Sequence, residues 1–197
     1  MMDFPYRLKR LIKELKKLPS VGERTAQSIA FMLITDKGAL ESLIKALNDA
    51  RNLGLCRVCH TITEGEICEV CSDENREPLL MIVERPEDMY SIERTGSYRG
   101  KYHVIGGLIS PMEGVEPSSL FIEDIPRRIR EEKIEEVIFA LSPTIEGDAT
   151  TYYIYELIKD TGVKITRIAR GIPSGFTISR VDEITIEEAL KSRQPLE

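Results

Sequence analysis

Four cysteines, Cys56, Cys59, Cys68 and Cys71, constrain this chain more than any other feature, and they are all the cysteines it has. They form two Cys-x-x-Cys knuckles separated by eight residues. Two residues between thiolates let both sulfurs converge on one ion from a tight turn, and two such knuckles complete a tetrahedral Zn2+ site with no open position. A closed site builds structure and offers no place for a substrate. Zinc binding is worth about 10 to 16 kcal/mol in small zinc-finger peptides, enough to order a segment that lacks its own core. Asp, Glu and Gly in and around the knuckles supply little apolar surface, so the metal is expected to order residues 56–77. His60 follows Cys59 directly; it would ligate only if a cysteine were displaced and is expected to stay free. Four unrelated cysteines or a redox pair are the alternatives, and the spacing disfavours both.

The flanks read differently. With 197 residues, 42% of them hydrophobic, the chain suffices for one good core and a smaller module. Leu8, Leu11, Ile12, Leu15 and Leu18 recur every three or four residues across 5–18, predicting a helix that Pro19 stops. A second helix is expected over 23–33, and a third over 38–53 carrying Leu40, Leu43, Ile44 and Leu47. Beyond the cysteines, short apolar runs at 79–83, 103–105, 136–141 and 163–168 read as strands. Helical stretches at PEDMYSIER and 150–161 alternate with them, the pattern of an α/β sheet with mainly parallel strands. Thr185 and Glu188 form a capping-box pattern for a last helix through Leu190. The expected modules are therefore 1–55, 56–77, 78–173 and a tail, 174–197, for packing and oligomerisation.

Charge is unevenly placed. The formal net charge is −6, yet residues 1–24 hold seven basic side chains against three acidic ones, leaving about −10 for the rest. That asymmetry suggests a basic end facing DNA and an acidic body meeting protein partners, with ordinary solvated helix faces as the alternative. MMDFPYRLKRLIKELKK has no secretory apolar block, and no apolar run approaches the roughly 18 to 20 residues that span a bilayer. A cytoplasmic protein is expected, where clustered thiols bind metal rather than pair as disulfides.

Leu15-Lys-Lys-Leu-Pro-Ser-Val-Gly-Glu-Arg-Thr-Ala26 resembles the helix-hairpin-helix motif, in which amides opening the second helix point at a DNA phosphate without reading sequence. On that resemblance Val21 plugs the hairpin, Gly22 allows close approach, and Arg24, Lys16 and Lys17 add charge. Ser20 departs from the motif's usual glycine, and Ser28 from a residue that is often basic. Ser20 with Glu23 also reads as an ordinary capping box.

The second half resembles the Toprim domain of topoisomerases and primases. Its first-strand glutamate matches Glu84, and its later acidic run matches Ser142-Pro-Thr144-Ile-Glu146-Gly-Asp148. Ser142 and Thr144 stand where the motif's aspartate pair belongs. Mg2+ needs carboxylate oxygens, so a Mg-dependent nuclease or topoisomerase is the disfavoured alternative. Tyr152, Tyr153 and Tyr155 lie within a helix and suit packing better than nucleophilic attack.

Between these landmarks run Glu93-Arg-Thr-Gly-Ser-Tyr-Arg-Gly-Lys-Tyr-His-Val-Ile-Gly-Gly107 and Ser110-Pro111, with Thr166-Arg-Ile-Ala-Arg-Gly-Ile-Pro173 near the end. The order of hairpin, four-cysteine zinc finger, Toprim domain and tail resembles the bacterial RecR family over almost the whole chain; Gly175-Phe176 departs from it. The fold implied is an α+β assembly of modules: a helical hairpin module, a zinc finger, an α/β Toprim domain and a strand/helix tail. The resemblance also implies a non-enzymatic DNA-repair mediator with one structural Zn2+. Such proteins form dimers and ring-shaped tetramers whose hairpins line the ring. They act with RecO, in some bacteria RecF, to help RecA displace single-stranded-DNA-binding protein at gaps, associated with the nucleoid. Glu146, with Asp148 and Glu84, is the expected RecO contact. Arg94, Arg99, Lys101 and His103 give the signature loop a basic character that suits DNA, a neighbouring subunit, or internal hydrogen bonding alone; His103, opening a strand, reads as structural. Arg180-Val-Asp-Glu-Ile184 looks like a Walker B segment, but no glycine-rich phosphate loop accompanies it, so sheet and subunit packing is expected there. A zinc-ribbon module that binds only proteins is the remaining rival.

Overall fold

The computed structural model describes residues 3–193. The chain divides into two compact units, Met1–Leu53 and Gly54–Glu197.

In the first unit, α1 (Tyr6–Leu15) and α2 (Glu23–Thr35) flank the hairpin, and α3 (Lys37–Ala50) follows. Leu8 and Ile12 lie one helical turn apart and pack on Ala26 and Ala30, whose small side chains let the two helices approach closely. The first helix ends at Leu15, short of the expected Leu18, which is exposed. Asp36 starts α3 by accepting the Ala39 amide at 3.0 Å. The expected apolar stripe of α3 is present, but Leu43, Ile44 and Leu47 stay exposed.

The second unit opens with a two-stranded antiparallel ladder, β1 (Gly54–Leu55) and β2 (Ile62–Thr63), then a single turn, α4 (Glu69–Ser72). Next come β3 (Leu79–Val83), α5 (Pro86–Glu93), β4 (Lys101–Val104), α6 (Ile125–Glu131), β5 (Glu136–Ala140), α7 (Ile145–Ile158), β6 (Lys164–Arg167) and α8 (Glu183–Lys191). Strands β3 to β6 form one parallel sheet in the order β4-β3-β5-β6. Leu80 and Ile82 of β3 join Phe139, Ile125 and Ile154 on one face. Met81 and Val83 join Met89 and Tyr102 on the other. Burial on both faces is why the β3 sequence is a continuous apolar run rather than an alternation.

Several boundaries differ from the sequence expectation. Helix α7 begins at Ile145, five residues before the expected start, because the Thr144 hydroxyl accepts the Gly147 amide at 3.1 Å. Its first turn lies so close to the preceding loop that a Cβ on Gly147 would sit 1.9 Å from the Ser142 carbonyl oxygen. The Thr185–Glu188 capping box is not formed: Asp182 is the N-cap of α8 and accepts the Thr185 amide at 2.9 Å. Helices α4 and α6 were not anticipated, being too short to show a period. Of the tail, residues 194–197 lie outside the described residues. No helix among the described residues is long and apolar enough to cross a membrane.

Candidate metal centre and binding surfaces

The two knuckles bring the four sulfurs of Cys56, Cys59, Cys68 and Cys71 within 4.8 Å of one another, three of the residues buried. Cys59 Sγ and Cys68 Sγ are 3.5 Å apart. A tetrahedron of Zn–S bonds of about 2.3 Å has edges near 3.8 Å, so the cluster has the size such an ion needs. The Cys68 amide donates to Cys56 Sγ at 3.3 Å, a bond that favours the thiolate. Crowding divides the thiols: Cys68 beside it pushes Cys59 up to about 12, Cys71 is raised as well, and Cys68, accepting from both, falls to about 2. These residues fit Zn2+.

The knuckle is not a free-standing finger. Val104 of edge strand β4 donates its amide to the Cys59 carbonyl at 2.9 Å, and Tyr90 of α5 donates its hydroxyl to the Ile62 carbonyl at 3.0 Å. His60, as expected, is no ligand. Held at φ +64°, it stacks on Phe121 with ring centroids 4.0 Å apart and meets His103 edge-on at 5.2 Å. Its Nε2 lies 3.5 Å from Asp124 Oδ2. His103 is fully buried and structural, as expected. Its Nε2–H donates to the Phe121 carbonyl, its Nδ1 accepts from Arg128 at 3.1 Å, and burial beside that guanidinium pushes it down to about 3, a neutral imidazole. Arg128, itself buried, continues to the Tyr102 carbonyl at 2.8 Å and to Glu132 at 2.6 Å. Sequence reading missed this network; adjacency of His60 to Cys59 was its only trace.

At the hairpin, Val21 packs onto the Leu8–Ile12–Ala26–Ala30 cluster, as a plug would. Gly22 is the N-cap of α2, and no side chain caps that helix, so the amides of Glu23, Arg24 and Thr25 face solvent. A Cβ at Gly22 would meet nothing within 4 Å, so the approach to those amides is open. The Ser20–Glu23 capping box is absent: Ser20 sits at φ +61°, the left-handed region that glycine favours. Glu23 pairs instead with Lys16, and Lys17 with Glu14 at 2.6 Å. These exposed pairs are weak and salt-screened, and an incoming phosphate competes with them easily. Arg24 is exposed and faces no carboxylate among the described residues.

The third surface is a cleft of about 480 Å³ at the carboxyl ends of β3 and β5, lined by Glu84, Glu146, Ser142, Thr144 and Glu113 among others. It lies where the strand order reverses, the usual ligand position in an open α/β sheet. The Ser142 hydroxyl donates to Glu84 Oε2 at 2.6 Å, so a neutral donor occupies the place of a metal-binding carboxylate. Glu146 is exposed at the rim. Asp148 is not part of this cleft: Arg170 and Arg167 bind its carboxylate and hold it below the usual carboxylate range. Asp148, grouped with Glu84 and Glu146 as an expected partner contact, therefore does not share their cleft. Among the described residues, the only group of metal-binding side chains is the four cysteines.

Comparison with known proteins gives the same three landmarks in the same order. A family model described as RecR, helix-hairpin-helix, matches residues 8–51. The RecR four-cysteine zinc finger domain matches 53–73, which contains all four sulfurs, so the centre is a structural zinc site. The Toprim domain matches 79–169. The Recombination protein RecR of Thermus thermophilus is 42% identical over 196 residues, covering 99% of this chain and 100% of its own. The protein of that name from Heliobacterium modesticaldum is 43% identical over 190 residues, covering 95% and 96%, and that of a Cyanothece species is 43% identical over 197 residues, covering 96% of each. With end-to-end similarity at that level and every landmark in register, the chain belongs to the RecR family of recombination proteins.

Proposed function

We propose that this protein is a non-enzymatic scaffold of DNA repair that several copies assemble into a ring-like clamp on DNA. In this reading the hairpin binds backbone phosphate through the amides of residues 23–25, with Arg24, Lys16 and Lys17 supplying charge. The acidic cleft recruits RecO, or RecF, through Glu146 with Glu84 below it, and the assembly helps RecA load onto gaps coated by single-stranded-DNA-binding protein. Asp148 takes part only after release from its arginines.

The observation that carries the reading is the uncapped start of α2 within a basic module: residues 1–53 hold ten basic side chains against six acidic ones, while the remainder is net −10. One hairpin is a weak, sequence-independent contact, and linking copies raises the effective concentration of the next. The non-enzymatic part is supported by chemistry at the cleft. Hydroxyls at Ser142 and Thr144 do not supply the charge that positions a divalent ion against a phosphate, and Glu84 already accepts from Ser142.

Light scattering together with salt-titrated fluorescence anisotropy on labelled DNA, with RecO present or omitted, tests the proposal. An oligomer with salt-sensitive binding that Arg24→Glu abolishes and RecO enhances is the expected result. Unchanged binding by Arg24→Glu would remove the hairpin from the interface. Mg2+-dependent DNA cleavage lost in Glu84→Ala would replace the scaffold with an enzyme.

A further inference from the structure

The loop between α5 and β4, Arg94-Thr-Gly-Ser-Tyr-Arg-Gly100, has a frame whose every part is accounted for and two arginines that no carboxylate holds. The Thr95 hydroxyl donates to the Ile92 carbonyl at 2.7 Å, and Gly96 reverses the chain at φ +65°. The Tyr98 hydroxyl donates to the Lys101 carbonyl at 2.9 Å, and its ring meets Tyr102 edge-on at 5.0 Å. Gly100 is buried with no room for a Cβ beside Tyr98 and Leu79. From beneath, Arg76 clamps the Gly100 carbonyl at 3.2 Å and pairs with Glu93 and Asp73. The loop is thus a rigid platform that uses neither arginine side chain beyond a long Arg94 bond to the Ser91 hydroxyl at 3.4 Å.

Those two are exposed, and no carboxylate among the described residues reaches ion-pair distance of either. Elsewhere in this acidic unit Arg85, Arg127, Arg128, Arg167 and Arg170 face carboxylates; Arg130, Arg180 and Arg193 are exposed without one, but each stands singly, whereas Arg94 and Arg99 share one short loop. The two carboxylates beneath the loop, Glu93 and Asp73, are already committed to Arg76. A helix C-terminus accounts for a cation at Arg94, the C-cap of α5, but not for Arg99. Between them stand the small residues Thr95, Gly96 and Ser97 and the half-buried Tyr98, with none of the exposed aromatic or aliphatic anchors that a protein partner would fill. Two guanidinium forks on a rigid polar loop match phosphate oxygens.

We propose that the 94–100 loop is a second contact for the DNA backbone, with Arg94 and Arg99 holding phosphates; this rests on the DNA-binding reading above. The test compares full-length protein with R94Q/R99Q and R94K/R99K by salt-titrated anisotropy on labelled single- and double-stranded oligonucleotides. The glutamine pair should weaken binding roughly 3- to 30-fold and lower the slope of log affinity against log salt by about one to two. The lysine pair should keep most of the slope. Zinc content and melting temperature should match wild type in both, because the frame is untouched. If R94Q/R99Q binds with wild-type affinity and slope while Arg24→Glu does not bind, the loop proposal fails and the hairpin reading stands. If wild-type protein shows no salt-sensitive binding, both fail. If R94Q/R99Q changes the native mass but not DNA affinity, the loop is a subunit contact and the proposal is overturned.

Discussion

Withdrawing zinc should loosen the Toprim sheet as well as the knuckle, because the metal centre is bonded to the sheet's edge. Three contacts join them: the Val104 amide on the Cys59 carbonyl at 2.9 Å, the Tyr90 hydroxyl on the Ile62 carbonyl at 3.0 Å, and the His60–Phe121 stack at 4.0 Å. Each hydrogen bond contributes about 0.5 to 1.5 kcal/mol, and the ring pair a similar amount. Together they stabilise the edge by about 1.5 to 4.5 kcal/mol, which corresponds to a roughly ten- to thousandfold change in local opening. The assay is hydrogen exchange read by mass spectrometry before and after chelation, with zinc release followed by a colorimetric chelator. Peptides covering 101–104 should lose protection in that range, while those covering α1 and α2, in the other unit, should keep theirs. Cys59→Ser should act the same way. Unchanged protection of β4 in the zinc-free protein would refute the reasoning and make the finger an independent body.

Other expected outcomes follow from single contacts. Ser20→Gly removes a left-handed serine at φ +61° and should stabilise the chain by about 0.5 to 1 kcal/mol, measured as a raised urea midpoint with unchanged slope. Glu132→Gln leaves the buried Arg128 with one partner fewer and should cost about 3 kcal/mol by the same assay. Burial raises the Glu132 carboxyl, but Arg128 and Lys101 outweigh it and the folded pKa is lowered. Its contribution is therefore full above the unfolded carboxylate range of about pH 4.3 and is lost as pH falls through the lower folded value, so wild type and variant should converge in acid. Asp148→Asn breaks a half-exposed pair and should cost under about 1 kcal/mol; on the proposed reading it removes an acid and frees two arginines, so it should not strengthen RecO binding, which surface plasmon resonance would read. Ser142→Ala should leave zinc content and DNA affinity unchanged, with any effect confined to partner binding at the cleft.

The sequence made the metal centre legible because ligand spacing is a local property: two residues between sulfurs and eight between knuckles are enough to specify it. Strands β3 and β5 were legible for a related reason, as short apolar runs bounded by charge. The hairpin was readable in its residues but not in its backbone, since nothing in the letters showed that Ser20 adopts positive φ and leaves Glu23 to pair with Lys16. Residues 106–135 gave no predicted element. Their order comes from tertiary contacts, the Phe121 ring on His60 and the buried Arg128 on Tyr102 and His103, which leave no periodicity. The cleft was half legible. Glu84, Ser142 and Glu146 converge as the motif implied, but Asp148, two residues from Glu146, turns to Arg170 because α7 begins at Ile145 and rotates successive side chains by about 100°.

That rotation bears on how a Toprim cleft without its aspartates would be used. With Ser142 donating to Glu84 Oε2 and Arg85 beside Oε1, the carboxylate on the floor of the cleft is already bonded, and Glu146 and Glu113 are the other acids lining the cleft. Mg2+ would have to give up hydration for a carboxylate already hydrogen-bonded and without the aspartate pair beside it, an exchange it resists. A guanidinium or ammonium from a protein needs only one well-placed carboxylate and a second acid at the rim, and Glu84 and Glu146 supply that pair within one cleft. The two chemistries make opposite demands on position 142. A cation site would gain from Ser142→Asp, whereas on the proposed reading Ser142→Asp sets like charge against Glu84 and removes the hydroxyl that orients it. It should therefore weaken RecO binding near neutral pH while leaving zinc content intact. Isothermal titration of the variant with Mg2+ and with RecO reads both demands together. Tight Mg2+ binding without loss of RecO would mean that the cleft is a metal site short of one ligand, and that recruitment happens elsewhere.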